Sequence, residues 1–305
     1  MKQKHLFLRL LLLTSLKSFG GIHRHDVPVE KYLALAKQPQ FLCVGSILNG
    51  INLGGVGSCI LIDKKFVLTA AHCCMESITR RDTIVENGQT IYVDQPIDEQ
   101  VTDVTSWIIR FGRKSYNVKG VTIFPGYLDS ATIGDYDLAL IELVEPVTEV
   151  MPAQLYNRSD ELNQTLTGVG YGASGPANRP EEVSVWLEKV AGENKIDSLG
   201  GRLYKNQSTI LVTDFDCPEK KADCNSIGSA FPLPMEYGSA GGDSGGGSFC
   251  KIKNDWYLVG VLAGGGGVDI EKLMRIGYYG DLSKWTRVSV FYDWIKDETQ
   301  KSEKN

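Results

Sequence analysis

From Phe41 onward the chain is a succession of short apolar runs, each closed off by glycine or polar residues. None approaches the ~20 apolar residues needed to cross a bilayer. The runs are Phe41–Ile47, Ser58–Ile62, Phe66–Thr69, Ile108–Phe111, Val118–Phe124 and Leu138–Leu143, then Thr165–Tyr171, Val183–Val190, Ile210–Thr213, Gly247–Phe249, Trp256–Ala263 and Trp285–Val288. Runs of this length, alternating and separated by turn residues, predict strands. With 33 glycines to turn between them, they predict an all-β protein, a sandwich or barrel. Two segments read as helix: a patch at Tyr32–Lys37, and the C-terminus, where Val290, Phe291, Trp294 and Ile295 fall at helical spacing. The polar stretch Glu76–Thr105 reads as an enlarged surface loop.

Residues 1–20 read as a signal peptide. Two lysines lie within Met1–His5, Leu6–Leu16 is mostly leucine, and Ser18-Phe19-Gly20 offers small residues for cleavage. A retained anchor is the weaker reading because the apolar stretch is short and carries Arg9. The expectation is therefore a secreted protein, extracellular or periplasmic, with no membrane attachment once the leader is removed. Residues 21–40 would form an N-terminal arm, 41–150 a first lobe and 151–305 a second. A net charge of −5 gives no basic footprint for nucleic acid. Seven cysteines suit an oxidising compartment, and Cys217 and Cys224 are near enough in sequence to staple a local loop. No Cys-x-x-Cys pair supports a structural metal.

Three segments carry chemistry, in fixed order: Leu68-Thr69-Ala70-Ala71-His72-Cys73, Asp135-Tyr136-Asp137-Leu138-Ala139-Leu140 and Gly241-Gly242-Asp243-Ser244-Gly245-Gly246. A serine hydroxyl is a weak nucleophile until an imidazole takes its proton and a carboxylate fixes that imidazole's tautomer. His72, an aspartate and Ser244 supply those parts. The glycines around Ser244 permit a sharp turn in which the Gly242 and Ser244 N–H groups converge on an oxyanion. Asp243 is expected to point inward and hold that loop. Gly242-x-Ser244-x-Gly246 also fits the nucleophile elbow of α/β-hydrolases, but that fold needs its histidine after the serine. All four histidines, His5, His23, His25 and His72, precede Ser244.

These segments resemble the trypsin-like (chymotrypsin-fold) serine peptidases. Looser similarity runs from Phe41 to Trp294 through Gly168-Val169-Gly170-Tyr171-Gly172, Trp256–Val261 and Trp285-Thr286-Arg287-Val288. Thr213-Asp214-Phe215-Asp216 and Tyr279-Gly280-Asp281 look more like bacterial secreted members. The resemblance implies two antiparallel six-stranded Greek-key barrels, with the active site in the cleft between them and a closing C-terminal helix. It implies His72 as general acid/base, Asp137 rather than Asp135 as its orienting partner, and Ser244 as nucleophile. It also implies a bridge from Cys59 to Cys73 or Cys74, protein or peptide substrates, and no metal or organic cofactor.

Departures from the pattern touch the substrate rather than the reaction. The resemblance implies Gly238, Ala263 and Gly265 as the specificity-pocket positions. With glycine at the pocket base, a carboxylate for Arg or Lys is missing there, and Asp281, near another wall of the expected pocket, is a candidate substitute. Leu166 stands where relatives often carry a cysteine partner for the equivalent of Cys250. No Ile-Val-Gly-Gly start is present, so Ile22 or Val27 is the candidate N-terminus to pair with Asp243. Two other readings remain at this point: a catalytically silent binding module and an esterase on the same scaffold.

Overall fold

The computed structural model describes residues 21–86, 89–128, 135–183, 188–220, 224–267 and 277–302. The leader lies outside them. The first lobe is a closed barrel of β1 (Val44–Asn49), β2 (Gly55–Asp63), β3 (Phe66–Thr69), β4 (Trp107–Phe111), β5 (Lys114–Ile123) and β6 (Ala139–Leu143). Its strand order is β1-β2-β3-β6-β5-β4, closing back on β1. Period-two burial shows why the chain forms strands here: Trp107, Ile109 and Phe111 face the core, while Ile108 and Arg110 are half-buried between them. The whole of β3 is buried.

The second lobe uses β7 (Thr165–Gly170), β8 (Val190–Lys195), β9 (Gln207–Asp214), β10 (Gly247–Ile252), β11 (Asp255–Gly266) and β12 (Leu282–Arg287). The ladder runs β8-β7-β10-β11-β12-β9. The sheet curls until its two ends meet: Asp197 N–H donates to Val212 O (3.0 Å), and Asn194 Nδ2 donates to Asp214 O (2.7 Å). The result is the two-barrel architecture with a C-terminal helix.

That helix, α2 (Val288–Ser302), follows β12 without a break. The shorter α1 (Val29–Ala36) packs near β8. On α2, Val290, Phe291 and Ile295 are buried. Phe291 meets Phe124 edge-on (4.8 Å between ring centroids) and stacks on Tyr204 (5.3 Å), so one side chain ties the helix to both lobes. Burying a phenylalanine stabilises by roughly 2–3 kcal/mol.

Three expectations change. The Glu76–Thr105 stretch is largely a hairpin of Met75–Glu86 against Gln89–Val101. Of the second-lobe strand expected at Val183–Val190, residues 184–187 lie outside the described residues; a strand runs Val190–Lys195, where pairing with β7 and contact with Tyr237 outweigh its polar sequence. Ser198–Tyr204 adds an unforeseen strand to the edge of β9, leaving three of its residues exposed.

Candidate active site

His72 sits in the single turn Ala71–Cys74 that follows β3. Its Nδ1 lies 2.6 Å from Asp137 Oδ2, and its backbone N–H donates to Asp137 Oδ1 (2.9 Å). One carboxylate thus holds both the ring and the backbone of His72, while Nε2, on the far side of the ring, faces the Cys73 sulfur at 3.7 Å. Asp137 is 1% exposed and Thr286 Oγ1 donates to its carbonyl (2.9 Å). Tyr136, just before it, has φ of 56° and donates its hydroxyl to Leu203 O (2.9 Å). That left-handed residue turns Asp135 the other way, where it accepts from Arg202 N–H (3.2 Å). The geometry therefore separates the two aspartates. Burial disfavours the imidazolium, but the Cys73 sulfur and the Asp137 carboxylate outweigh it and hold the His72 pKa well above the ordinary histidine value.

Ser244 lies half-buried on the tight loop before β10. Its carbonyl accepts from Ser58 N–H (2.8 Å), and Gly245 N–H donates to Leu262 O (2.9 Å). Gly242 and Gly245 have φ of 88° and 78°, which the turn requires and other residues resist. Ser58 joins the two lobes. Its hydroxyl donates to Gly242 O (3.1 Å) and accepts from Tyr171 N–H (2.9 Å), while Thr69 Oγ1 donates to its carbonyl (2.8 Å). The buried Ser58 thereby sets the Ser244 loop against the strand that leads to His72. Nothing in a single sequence marks it, because a serine inside an apolar run reads only as a strand residue.

Asp243 is 1% exposed and points inward as expected. It accepts from Gly172 N–H (2.9 Å), Tyr237 OH (2.6 Å), Ala240 N–H (3.3 Å) and Gly21 N–H. Burial raises its pKa to about 6. Ile22 pairs with Gly238 on one side and Gly175 on the other, and its side chain is buried. The group that reaches Asp243 is thus Gly21, one residue before Ile22 and well before Val27.

Gly238 rests on Phe215, Ala263 is half-buried on β11, and Gly265 lies exposed two residues further along. Cys217 and Cys224 form a disulfide. The bridge expected from Cys59 is not formed. The Cys73 thiol instead faces His72 Nε2 (3.7 Å), and the Cys74 thiol turns back to Ala70 O (4.0 Å). Leu166 lies directly opposite Cys250 across the β7–β10 ladder.

Behind Phe215 four carboxyl groups gather: Asp197, Asp214, Asp216 and Glu236. Burial, reinforced by the neighbouring acids, raises Asp197 to about 7, Asp216 to about 6 and Glu236 to about 9, with Lys195 opposing weakly at Asp197. An acid whose folded pKa exceeds its unfolded value near 4 contributes stability that is complete below that value. The contribution is lost as pH climbs through the folded values. The unfolding temperature is therefore expected to fall between pH 5 and pH 9, and to fall less in Glu236→Gln. Calorimetry showing it rise across that window would contradict this.

A family model described as trypsin matches residues 36–295. The chain belongs to the trypsin family. Members of the trypsin family are serine endopeptidases. Over 257 residues the chain is 26% identical to vitamin K-dependent protein C of the rabbit, Oryctolagus cuniculus, covering 80% of this chain and 46% of that protein. It thus spans about half the length of this relative, which is vertebrate and lends no weight to the bacterial likeness. The mouse structure titled neuropsin, a serine protease expressed in the limbic system of mouse brain, superposes with a TM-score of 0.55. That match covers 91% of this chain and 99% of the other at 18% identity, so it speaks for the fold alone.

Proposed function

We propose that this trypsin-family chain is an exported serine endopeptidase that cleaves peptide bonds through an acyl-enzyme on Ser244. The observation that carries the reading is the contact of His72 Nδ1 with buried Asp137, which readies Nε2 for a proton. Ser244 Oγ attacks the scissile carbonyl as its proton passes to His72 Nε2. The Gly242 and Ser244 N–H groups stabilise the oxyanion, each donor being worth about 2.7–4 kcal/mol. His72 then protonates the leaving amine, and afterwards draws a proton from the water that releases the acyl group. Asp137 keeps the ring in place and stabilises the imidazolium. The leader and the Cys217–Cys224 bridge support export to an oxidising compartment.

Matched peptide and ester substrates test the reaction. Turnover of the peptide, absent in Ser244→Ala, is expected; turnover of the ester alone would make the chain an esterase.

Maturation follows from Gly21. Removal of residues 1–20 gives Gly21 an α-ammonium at the hydrogen-bond position it already holds on Asp243, placing a cation against a buried carboxylate. Losing one partner of such a pair costs about 3–5 kcal/mol. One extra residue ahead of Gly21, or acetylation of its amine, is therefore expected to cut kcat/KM by at least about tenfold. Full activity in the extended chain would refute this maturation step.

A further inference from the structure

A substrate side chain preceding the cleaved bond would enter the space beside Ser244, and two segments bound that space. One is Gly238–Gly242, which leads into the nucleophile. The other is the end of β11, fixed to the nucleophile loop where Gly245 N–H donates to Leu262 O (2.9 Å). β12 lies behind, pairing Ser283 with Gly265.

These walls close early. Ser239 and Ser283 are buried with their hydroxyl oxygens 2.7 Å apart, and Ser283 Oγ also accepts from Ser239 N–H (3.1 Å). A methyl group on Gly265 would stand 2.9 Å from Ser239 Oγ and 2.6 Å from Leu282 O. A carbon added to the strand at Gly265 would therefore press on the hydroxyl pair and the Leu282 carbonyl. Beneath them, a methyl on Gly238 would stand 2.9 Å from the Phe215 ring. The wall residues Gly238, Ser239, Ala263, Gly265 and Ser283 carry no charge. The nearby carboxylate of Asp281 accepts from Gly277 N–H and Tyr278 N–H, both at 2.9 Å, and so is turned into its own loop.

We infer that the enzyme cleaves after small, uncharged residues such as alanine and serine, rather than after aromatic or basic ones. The inference rests on the serine endopeptidase reading above and names the substrate class of the same site. A pocket that ends at a hydroxyl pair excludes a ring by bulk, and among the described wall residues a basic side chain finds no carboxylate to offset its lost hydration. Each methylene that fits or fails to fit changes rates by about 10- to 200-fold.

The test uses the mature chain on tetrapeptide anilides that differ only in Ala, Ser, Phe or Arg before the scissile bond. In parallel, a fluorophosphonate lacking a peptide side chain is added. The Ala and Ser substrates are expected to exceed Phe and Arg in kcat/KM by about tenfold or more, and Ser283→Gly to narrow the gap to Phe. A profile led by Phe or Arg, or no cleavage by protein that takes the label at Ser244, overturns this inference and leaves the serine mechanism standing. Absence of the label on folded protein overturns the mechanism itself.

Discussion

Replacing Asp137 by asparagine is expected to lower kcat by about 10⁴-fold, the size of effect such a change produces in a working triad. The side chain keeps its shape, so Oδ1 can still accept the His72 backbone N–H. Its other arm becomes an amide that donates toward Nδ1, where the carboxylate had accepted. The ring must then carry its proton on Nε2, the nitrogen that has to receive the Ser244 proton. Folding is unaffected in this account, so circular dichroism should match the native chain while steady-state kinetics collapse. A loss below about tenfold would mean that the 2.6 Å contact is structural.

The second large effect concerns stability. Glu161 and Arg287 form an ion pair with side chains 0% and 3% exposed. Arg287 donates to both Glu161 oxygens, Nε to Oε1 (3.0 Å) and Nη2 to Oε2 (2.5 Å). Ser289 Oγ donates to Oε1 (2.5 Å) and Arg287 Nη1 reaches Ser208 O (3.3 Å). The pair fastens the loop before β7 to the junction of β12 and α2. Glu161→Ala strands a guanidinium away from water, which costs about 3–5 kcal/mol. For a domain of this size that lowers the unfolding temperature by roughly 6–20 °C. Measured in a Ser244→Ala background to prevent self-digestion, a shift under about 2 °C would show that water reaches the site. Replacing both partners with apolar residues of similar volume should cost far less, since no charge is then left buried.

Where one face of a segment is buried, the sequence was easy to read. The alternation of Trp107, Ile109 and Phe111 and the spacing of Val290, Phe291 and Ile295 each state a period. The hairpin after Met75 has no such signature: its strands pair with each other, and at its base residues 76, 77, 79–81 and 98–101 are exposed, so polar composition suggested a loop. β8 was missed for a related reason. Its Glu193 and Lys195 are only half-buried, and its buried Asn194 is satisfied by the carbonyls of Asp214 and Tyr237, partners far away in sequence. The motif residues His72 and Asp137 were legible because their neighbours are distinctive. Ser58 was not, since its importance lies in four hydrogen bonds to distant segments. The shift from Ile22 to Gly21 likewise depends on strand register with Gly238, which local sequence does not encode.

Everything in the proposed chemistry depends on Ser244 being the group that is acylated. The most direct measurement treats folded, mature protein with a fluorophosphonate and locates the adduct by peptide mass spectrometry. One adduct on Ser244 is expected, formed far more slowly in His72→Ala and absent in Ser244→Ala. An adduct on another residue, or none on protein whose fold is intact, would contradict it.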